Sequence, residues 1–313
     1  MKSAMRAILL IAVIGLGDLS APGTALRAYA EPHPKILLLN SDASVEKYQV
    51  PQKEFCQAIS FPVNVVDLGE KKWRLPEIEE LVYDEDPDLI YCIGSKAFLM
   101  VHTFAGKTPL VFSSVVNWLR LPVTKRTYGV SNELHAGMEM MLFRYIFPSL
   151  HKIGVLYSTQ YTGEWFQQAQ EQARQMELTL VGKEVSGGDN VLEKLQTMQH
   201  KIDAFWLIPD PTLLTDKGQL INILKMCNAQ KIPVFSYHEA FVKFGVLLAV
   251  SVDTPTIGRQ AAGIATQLLS GEKPDEPVQC PAGSYIILNL KKVQEYDLPY
   301  NEEALDSVNT LIQ

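Results

Sequence analysis

From Lys35 onward the chain alternates two hydrophobic rhythms. Short continuous apolar runs, of the kind found in parallel strands covered on both faces, are followed by segments whose apolar residues recur at helical spacing. The runs are KILLLN (35–40), VNVVDL (63–68), PDLIYCIGS (87–95) and TPLVFSS (108–114). Between them lie a polar helical segment around Val50–Ile59, the stretch LPEIEELVYDED (75–86) and the stretch KAFLMVHTFAG (96–106). In the second of these, Leu75, Ile78, Leu81 and Val82 share one helical face, and Pro76 sits where a helix opens. This half therefore reads as four strands alternating with three helices.

The rhythm restarts at His151. HKIGVLYST (151–159), TLVGKEV (179–185), IDAFWLIPD (202–210) and IPVFSY (232–237) read as strands. EWFQQAQEQARQMEL (164–178), NVLEKLQTMQHK (190–201) and QLINILKMCNAQ (219–230) read as the intervening helices. KILLLNS echoes KIGVLYS, PDLIYCIGS echoes IDAFWLIPD, and TPLVFSS echoes IPVFSY. First strand to third spans 53 residues in one half (Lys35 to Asp88) and 51 in the other (Lys152 to Asp203). One such pair would be generic, but three in the same order predict a structural duplication: an α/β protein of two doubly wound parallel-sheet lobes.

After the second half come GVLLAVSVD (245–253) and a helix over 254–274, with Asp253 as N-cap, Pro255 in its first turn and Gly271 near its end. PVQC (277–280) and SYIILNLKKVQEYDL (284–298) follow as a strand pair, or a strand and a turn. These pieces are too small for a third domain and are expected to return to the two sheets. The lobes are then discontinuous: 31–128 with 250–275, and 129–249 with 276–313.

The first thirty residues do not fit either rhythm. MKSAMR is a positive start, AILLIAVIGLG is an apolar run of 11, and ALRAYA ends in Ala28-Tyr29-Ala30. This predicts a secretory signal cut before Glu31, because the run is far shorter than the roughly 20 residues a membrane span needs. Export to the periplasm follows, and no cysteine after the run offers a lipid anchor. Removing Lys2, Arg6, Arg27 and Asp18 from 28 basic and 35 acidic residues leaves 25 against 34, a net −9. An acidic chain without a Lys/Arg run is a poor ligand for nucleic acid or anionic membranes. Cys56, Cys92, Cys227 and Cys280 stand singly, and the histidines show no metal spacing, so neither a metal nor a redox motif is expected. No nucleotide, hydrolase or metalloprotease signature occurs in the mature chain, so no cofactor is expected and no enzyme is indicated.

In open parallel sheets, ligands bind beyond the carboxyl ends of the strands. If two lobes face each other, those strand-end loops line one cleft. The loops offer Ser41, Ser95, Ser114 and Asn117 in the first half, with Tyr157, Thr159, Asp210, Thr212, Ser236 and Tyr237 in the second. Hydroxyls, amides and aromatics of this kind suit a small polar molecule with an apolar part. Ser and Asn at strand ends also cap helices, so the set as a whole carries more weight than any one side chain.

KIGVLYS, IDAFWLIPDPTLL, KIPVFSYHEAFVKFGVLLAVSVDTPTIGRQAAGIATQLLSGEKP and YIILNLKKVQEYDL together resemble the ABC-transporter substrate-binding proteins linked to tryptophan and tyrosine uptake. The likeness runs from about Lys35 to Leu298 and is most specific in GRQAA…LLSGEKP and LNLKKVQEYDL. It implies the type I periplasmic-binding-protein fold, with three crossover segments joining the lobes and a cleft that closes by hinge motion. It also implies a monomer that presents a small-molecule ligand to a membrane permease, with aromatic amino acids among the candidate ligands. By the same resemblance YGVSN places Ser131 near the cleft, and SVDT keeps Asp253 where the family has GVDY. Asn117 stands where the family usually has aspartate, and Pro209-Asp210-Pro211-Thr212 stands where it usually has Thr-Asp-Asn-Thr. An amide holds an ammonium more weakly than a carboxylate does. Two alternatives stay open: a ligand sensor feeding a membrane signalling protein, and a two-lobed racemase using Cys92 and Cys227. The racemase requires both thiols to face one substrate.

Overall fold

The computed structural model describes residues 33–313; the expected signal segment, 1–30, lies outside them. Among the described residues no helix is long and apolar enough to cross a membrane.

The first lobe opens with β1 (Ile36–Asn40), α1 (Glu46–Ala58), β2 (Val63–Asp67), α2 (Leu75–Glu85), β3 (Leu89–Ile93), α3 (Ser95–Val101), β4 (Leu110–Ser113) and β5 (Thr127–Val130). The chain then enters the second lobe through α4 (Ala136–Ile146), β6 (Lys152–Tyr157), α5 (Thr159–Gln175), β7 (Thr179–Glu184), α6 (Val191–Gln196), β8 (Ala204–Leu207), α7 (Lys217–Ala229), β9 (Val234–Ser236) and β10 (Leu248–Val252). It returns to the first lobe for α8 (Thr254–Leu269) and β11 (Val278–Gln279). It ends in the second with β12 (Ser284–Asn289), α9 (Leu290–Glu295) and β13 (Thr310–Ile312).

The strand order is β2-β1-β3-β4-β5-β11 in one sheet and β7-β6-β8-β9-β10-β12-β13 in the other. Read in sequence order within each lobe, the first five strands follow the same 2-1-3-4-5 order, so the duplication seen as repeated phrases is a repeated topology. All neighbours in the first sheet are parallel. The second sheet carries one antiparallel pair, β10 with β12, registered as Leu248 opposite Leu288.

Why β1 is uniformly apolar follows from its two faces. Ile36 and Leu38 pack with Phe55 of α1 and with Ile257 and Ala261 of α8. Leu37 and Leu39 point the other way, against Ile78 of α2 and Phe98 of α3. Alternate side chains meet different helix layers, so neither rhythm position is free to be polar. Helix α8 must come very close to α1. A Cβ on Gly258 would stand 2.5 Å from the carbonyl oxygen of Pro51, so only glycine fits that crossing.

Two elements differ from expectation. The first lobe has a fifth strand that the apolar runs do not indicate; β5 reads Thr-Tyr-Gly-Val and lacks a run of aliphatics. Helix α4 was not indicated at all. The sheet pairings also place the crossings differently from the expected boundaries at 128/129, 249/250 and 275/276. β5 lies wholly in the first sheet, β10 wholly in the second, and β11 pairs with β5. The three connections between lobes are therefore 131–135, Asp253 and 280–283.

Candidate functional site

A cavity of about 360 Å³ lies where the lobes meet. The first lobe contributes Asn117, Trp118 and Leu119 from the loop after β4, and the crossings contribute Ser131, Glu133 and Cys280. The second lobe supplies the longer wall: Glu139 from α4, Tyr161, Trp165, Gln168 and Gln172 from α5, then Trp206, Pro209 and Tyr237. A second depression sits at the opposite, amino-terminal ends of β1 and β2, beside Ile36 and Val63, away from the strand ends.

The loop after β4 is bent by two left-handed residues, Ser114 (φ 57°) and Asn117 (φ 55°). That bend turns the backbone N–H of Asn117 toward Glu133, whose carboxylate accepts it. Trp118 then rests on Phe112 of β4 at 6.1 Å between ring centres. On the far wall Trp165 meets Trp206 edge-on at 5.1 Å, and Trp206 in turn meets Phe143 of α4 edge-on at 5.1 Å. The aromatic lining is thus braced by core rings. Across the opening, the Arg120 guanidinium lies 5.1 Å from the ring centre of Tyr161.

The electrostatics are one-sided. Glu139 is 6% exposed, and burial holds its carboxyl well above the usual range, with Glu133 pushing it further. Burial pushes Glu133 up to about 7, opposed by the N–H groups of Asn117 and Asn132. Glu164 also lines the cavity, whereas no Lys or Arg does. Two more lining atoms, Asn117 Nδ2 and Gln172 Oε1, are buried without a hydrogen-bond partner. Burial also pushes the Tyr237 phenol up to about 12, leaving it a neutral donor.

Of the twelve residues expected from the sequence, the cavity brings together Asn117, Ser131 and Tyr237. The other nine lie outside its lining. Ser41 donates to the carbonyl of Ile93 at 2.6 Å and accepts from the N–H of Ala97 at 3.1 Å, tying β1 to α3. That contact is possible because Gly94, with φ 84°, has no Cβ to strike the Ser41 hydroxyl. Ser95 is the first residue of α3, and Ser114 reaches the carbonyl of Lys47 at 3.4 Å. Tyr157 stacks on Phe166 at 4.2 Å, and Thr159 donates to Glu184 at 2.5 Å.

Asp210 is 1% exposed and fully engaged. One oxygen accepts from the N–H of Ser158 (2.8 Å), its hydroxyl (2.6 Å) and the Thr162 hydroxyl (2.5 Å); the other accepts from the N–H of Thr212 (2.8 Å). It fixes the start of α5, and so the wall that Tyr161 and Trp165 form. Ser236 is buried and accepts from the N–H of His238 at 3.2 Å, and Asp253 caps α8 through the N–H of Thr256 at 3.2 Å.

Glu133, Glu139 and Trp165 were not among the expected residues. Helix α5 begins at Thr159 rather than 164, so Tyr161 and Trp165 project from a helix and not from a loop. A signal for Glu139 does exist: Ala136, Met140 and Phe143 form an apolar face, and Glu139 interrupts it. Cys92 in β3 and Cys227 in α7 are both buried away from this cavity. Burial raises both thiols, that of Cys227 to about 12, which disfavours the thiolate an acid–base pair requires. Among the described residues no cluster of His, Cys, Asp or Glu could hold a metal ion.

Two α/β lobes joined by three crossings around a lined cavity define the type I periplasmic-binding-protein class. The family model for ABC transporter substrate binding protein matches residues 71–311, and the chain belongs to that family. Membership carries a binding role, with a small-molecule ligand and a membrane permease as partner. Among solved structures, the ABC domain in complex with L-Trp from Streptococcus pneumonia is similar at 20% identity and a TM-score of 0.61, covering 90% of this chain and 100% of that one. The open, ligand-free substrate binding protein CD0873 from Clostridium difficile is similar at 17% identity and a TM-score of 0.68, covering 88% and 98%. A conserved domain protein from Vibrio cholerae is similar at 18% and 0.61, covering 89% and 99%. At these identities the likeness is one of fold. Among curated proteins no match is found.

Proposed function

We propose that this protein is the exported, periplasmic receptor of an ABC importer, and that its two lobes close by hinge motion at the three crossings over a ligand held in the cavity. The observation that carries this reading is the composition of that cavity: it lies between the lobes and combines braced aromatic rings with unpaired buried polar groups. A ligand that matches it has a flat apolar part and an amine-bearing polar end. Aromatic amino acids fall in that class, as does the L-Trp bound by the Streptococcus pneumonia domain. Closure would bury the ligand and draw an open–closed equilibrium toward the closed form through its greater affinity for it.

A thermal-shift screen of residues 31–313 against amino acids, amines, nucleosides, sugars and small carboxylates tests this. A ligand at 100 times its dissociation constant raises stability by about 2.7 kcal/mol, a shift of a few degrees at this size. Small-angle scattering with the hit should show compaction. No hit in any class, or a hit with unchanged dimensions, would remove the receptor mechanism.

A further inference from the structure

We propose that the cleft selects an organic cation, an aromatic amine whose ammonium sits at Glu133 and Glu139, over the zwitterionic amino acid bearing the same ring. The inference rests on the cavity being the ligand site and narrows the ligand within it.

Its starting point is a carboxyl with nothing to bind. Glu139 lies on the apolar face of α4, lines the cavity and is almost wholly buried, and neither a hydrogen bond nor a basic side chain offsets its burial. A buried acid left this way destabilises the empty protein, because an ion without a partner loses its hydration. Glu133, from the adjoining crossing, is its nearest electrostatic neighbour and has the same sign. The cation that would relieve both is absent from the chain. The other ionisable groups lining the cavity are Glu164 and Tyr161 of α5, Tyr237, His135 and Cys280. None supplies a fixed positive charge.

The one guanidinium nearby, Arg120, lies over the Tyr161 ring at the rim rather than in the lining. An incoming ammonium therefore meets two carboxyls and aromatic faces, both of which attract it. An incoming carboxylate meets three acids and only neutral donors, among them the unpartnered Asn117 Nδ2 and the Tyr237 phenol. Those donors suit a hydroxyl or carbonyl on the ligand. The balance of groups matches a net charge of +1, not zero.

Protons must leave when such a ligand enters. Burial raises both carboxyls, that of Glu133 to about 7, so a cation gains its ionised partners only as they give up protons. Binding then tightens as pH rises, by up to about tenfold per pH unit for each proton released.

Titration calorimetry of the mature chain with tryptamine, tryptophan and indole-3-propionate, at pH 6, 7 and 8, tests this with one ring and three charges. Expected are an amine at least tenfold tighter than the amino acid at pH 8, no binding of the acid, and affinity for the amine rising with pH. Proton release should appear as a dependence of the heat on buffer ionisation enthalpy. Glu139→Gln should weaken the amine at least tenfold, with Glu133→Gln as the second variant should the first fail to fold. Tryptophan binding more tightly than tryptamine would overturn the inference while leaving the receptor reading intact. If all three indoles fail to bind but another class of molecule does, this inference alone falls; if nothing from any class binds, both fall.

Discussion

Arg120 and Tyr161 touch across the cleft, a guanidinium from the first lobe lying 5.1 Å from the ring centre of an α5 tyrosine in the second. Both line or flank the opening, so the contact joins the lobes without filling the cavity. An exposed cation–π contact is worth about 0.5–1 kcal/mol. Arg120→Ala should therefore leave the urea midpoint almost unchanged and raise the ligand dissociation rate by about two- to fivefold, since the same energy then favours opening. Stopped-flow fluorescence of the cavity tryptophans reads this directly. An unchanged dissociation rate would mean that the contact does not hold the closed form.

The buried acids set a pH dependence of stability. Glu133 is pushed up to about 7 against 4.5 for the free side chain, so the folded state holds its proton more tightly than the unfolded chain does. That preference contributes fully below about pH 4.5 and is lost as pH rises through about 7, at up to about 1.4 kcal/mol per unit. Glu139 acts in the same sense. The ligand-free protein should thus melt at lower temperature at pH 8 than at pH 5.5. Glu139→Gln, which cannot ionise, should flatten the profile and be the more stable form at pH 8. Calorimetric scans of both proteins across this range check it.

Asp210 serves four donors, and its loss should be felt as stability. Asp210→Ala strands the Ser158 N–H and hydroxyl, the Thr162 hydroxyl and the Thr212 N–H, at a cost of about 3 kcal/mol or more. Asp210→Asn keeps one carbonyl acceptor and should lose about half as much. Urea unfolding followed by tryptophan emission separates the two. Equal, small losses would place the importance of Asp210 elsewhere.

Gly258 tests the crossing of α8 over α1. Its missing Cβ leaves room for the Pro51 carbonyl, so Gly258→Ala must push backbone against backbone. Overpacking of this kind costs about 1–3 kcal/mol even though alanine is the better helix former. Denaturant unfolding should show that loss, and a stabilised variant would mean the helices part easily.

Much of this was legible in the residues. The run Ile36–Asn40 announces a strand because helices cover both its faces, and the echo of Lys152–Tyr157 announces the second lobe for the same reason. β5 was hidden because a strand of four residues containing Thr127 and Gly129 has no aliphatic run. Helix α4 was hidden by its start, where His135 offers no side-chain cap, and by Glu139 on its buried face. Looking beyond strand ends led to Asn117 and Tyr237, and the family resemblance to Ser131; all three line the cavity. The strand-end rule pointed away from Glu139 and Trp165, because one wall of the cavity is made by helix faces and not by loops. It also swept in Ser41, Asp210 and Ser236, whose polar atoms are spent on holding their own lobes together.

The late return of α8 and β11 to the first lobe has a consequence for how the chain matures. Until residues 254–269 are available, Phe55 and Ile36 lack the cover of Ile257 and Ala261 of α8, and the β5 edge stays open until Val278 pairs with it. A chain emerging amino-terminus first from a ribosome or a translocation pore must therefore hold its opening hundred residues unfinished while the second lobe is made. Its first lobe is begun first yet closes only after most of the second is made, and during that interval a holding chaperone would find an apolar sheet face and a bare strand edge to bind.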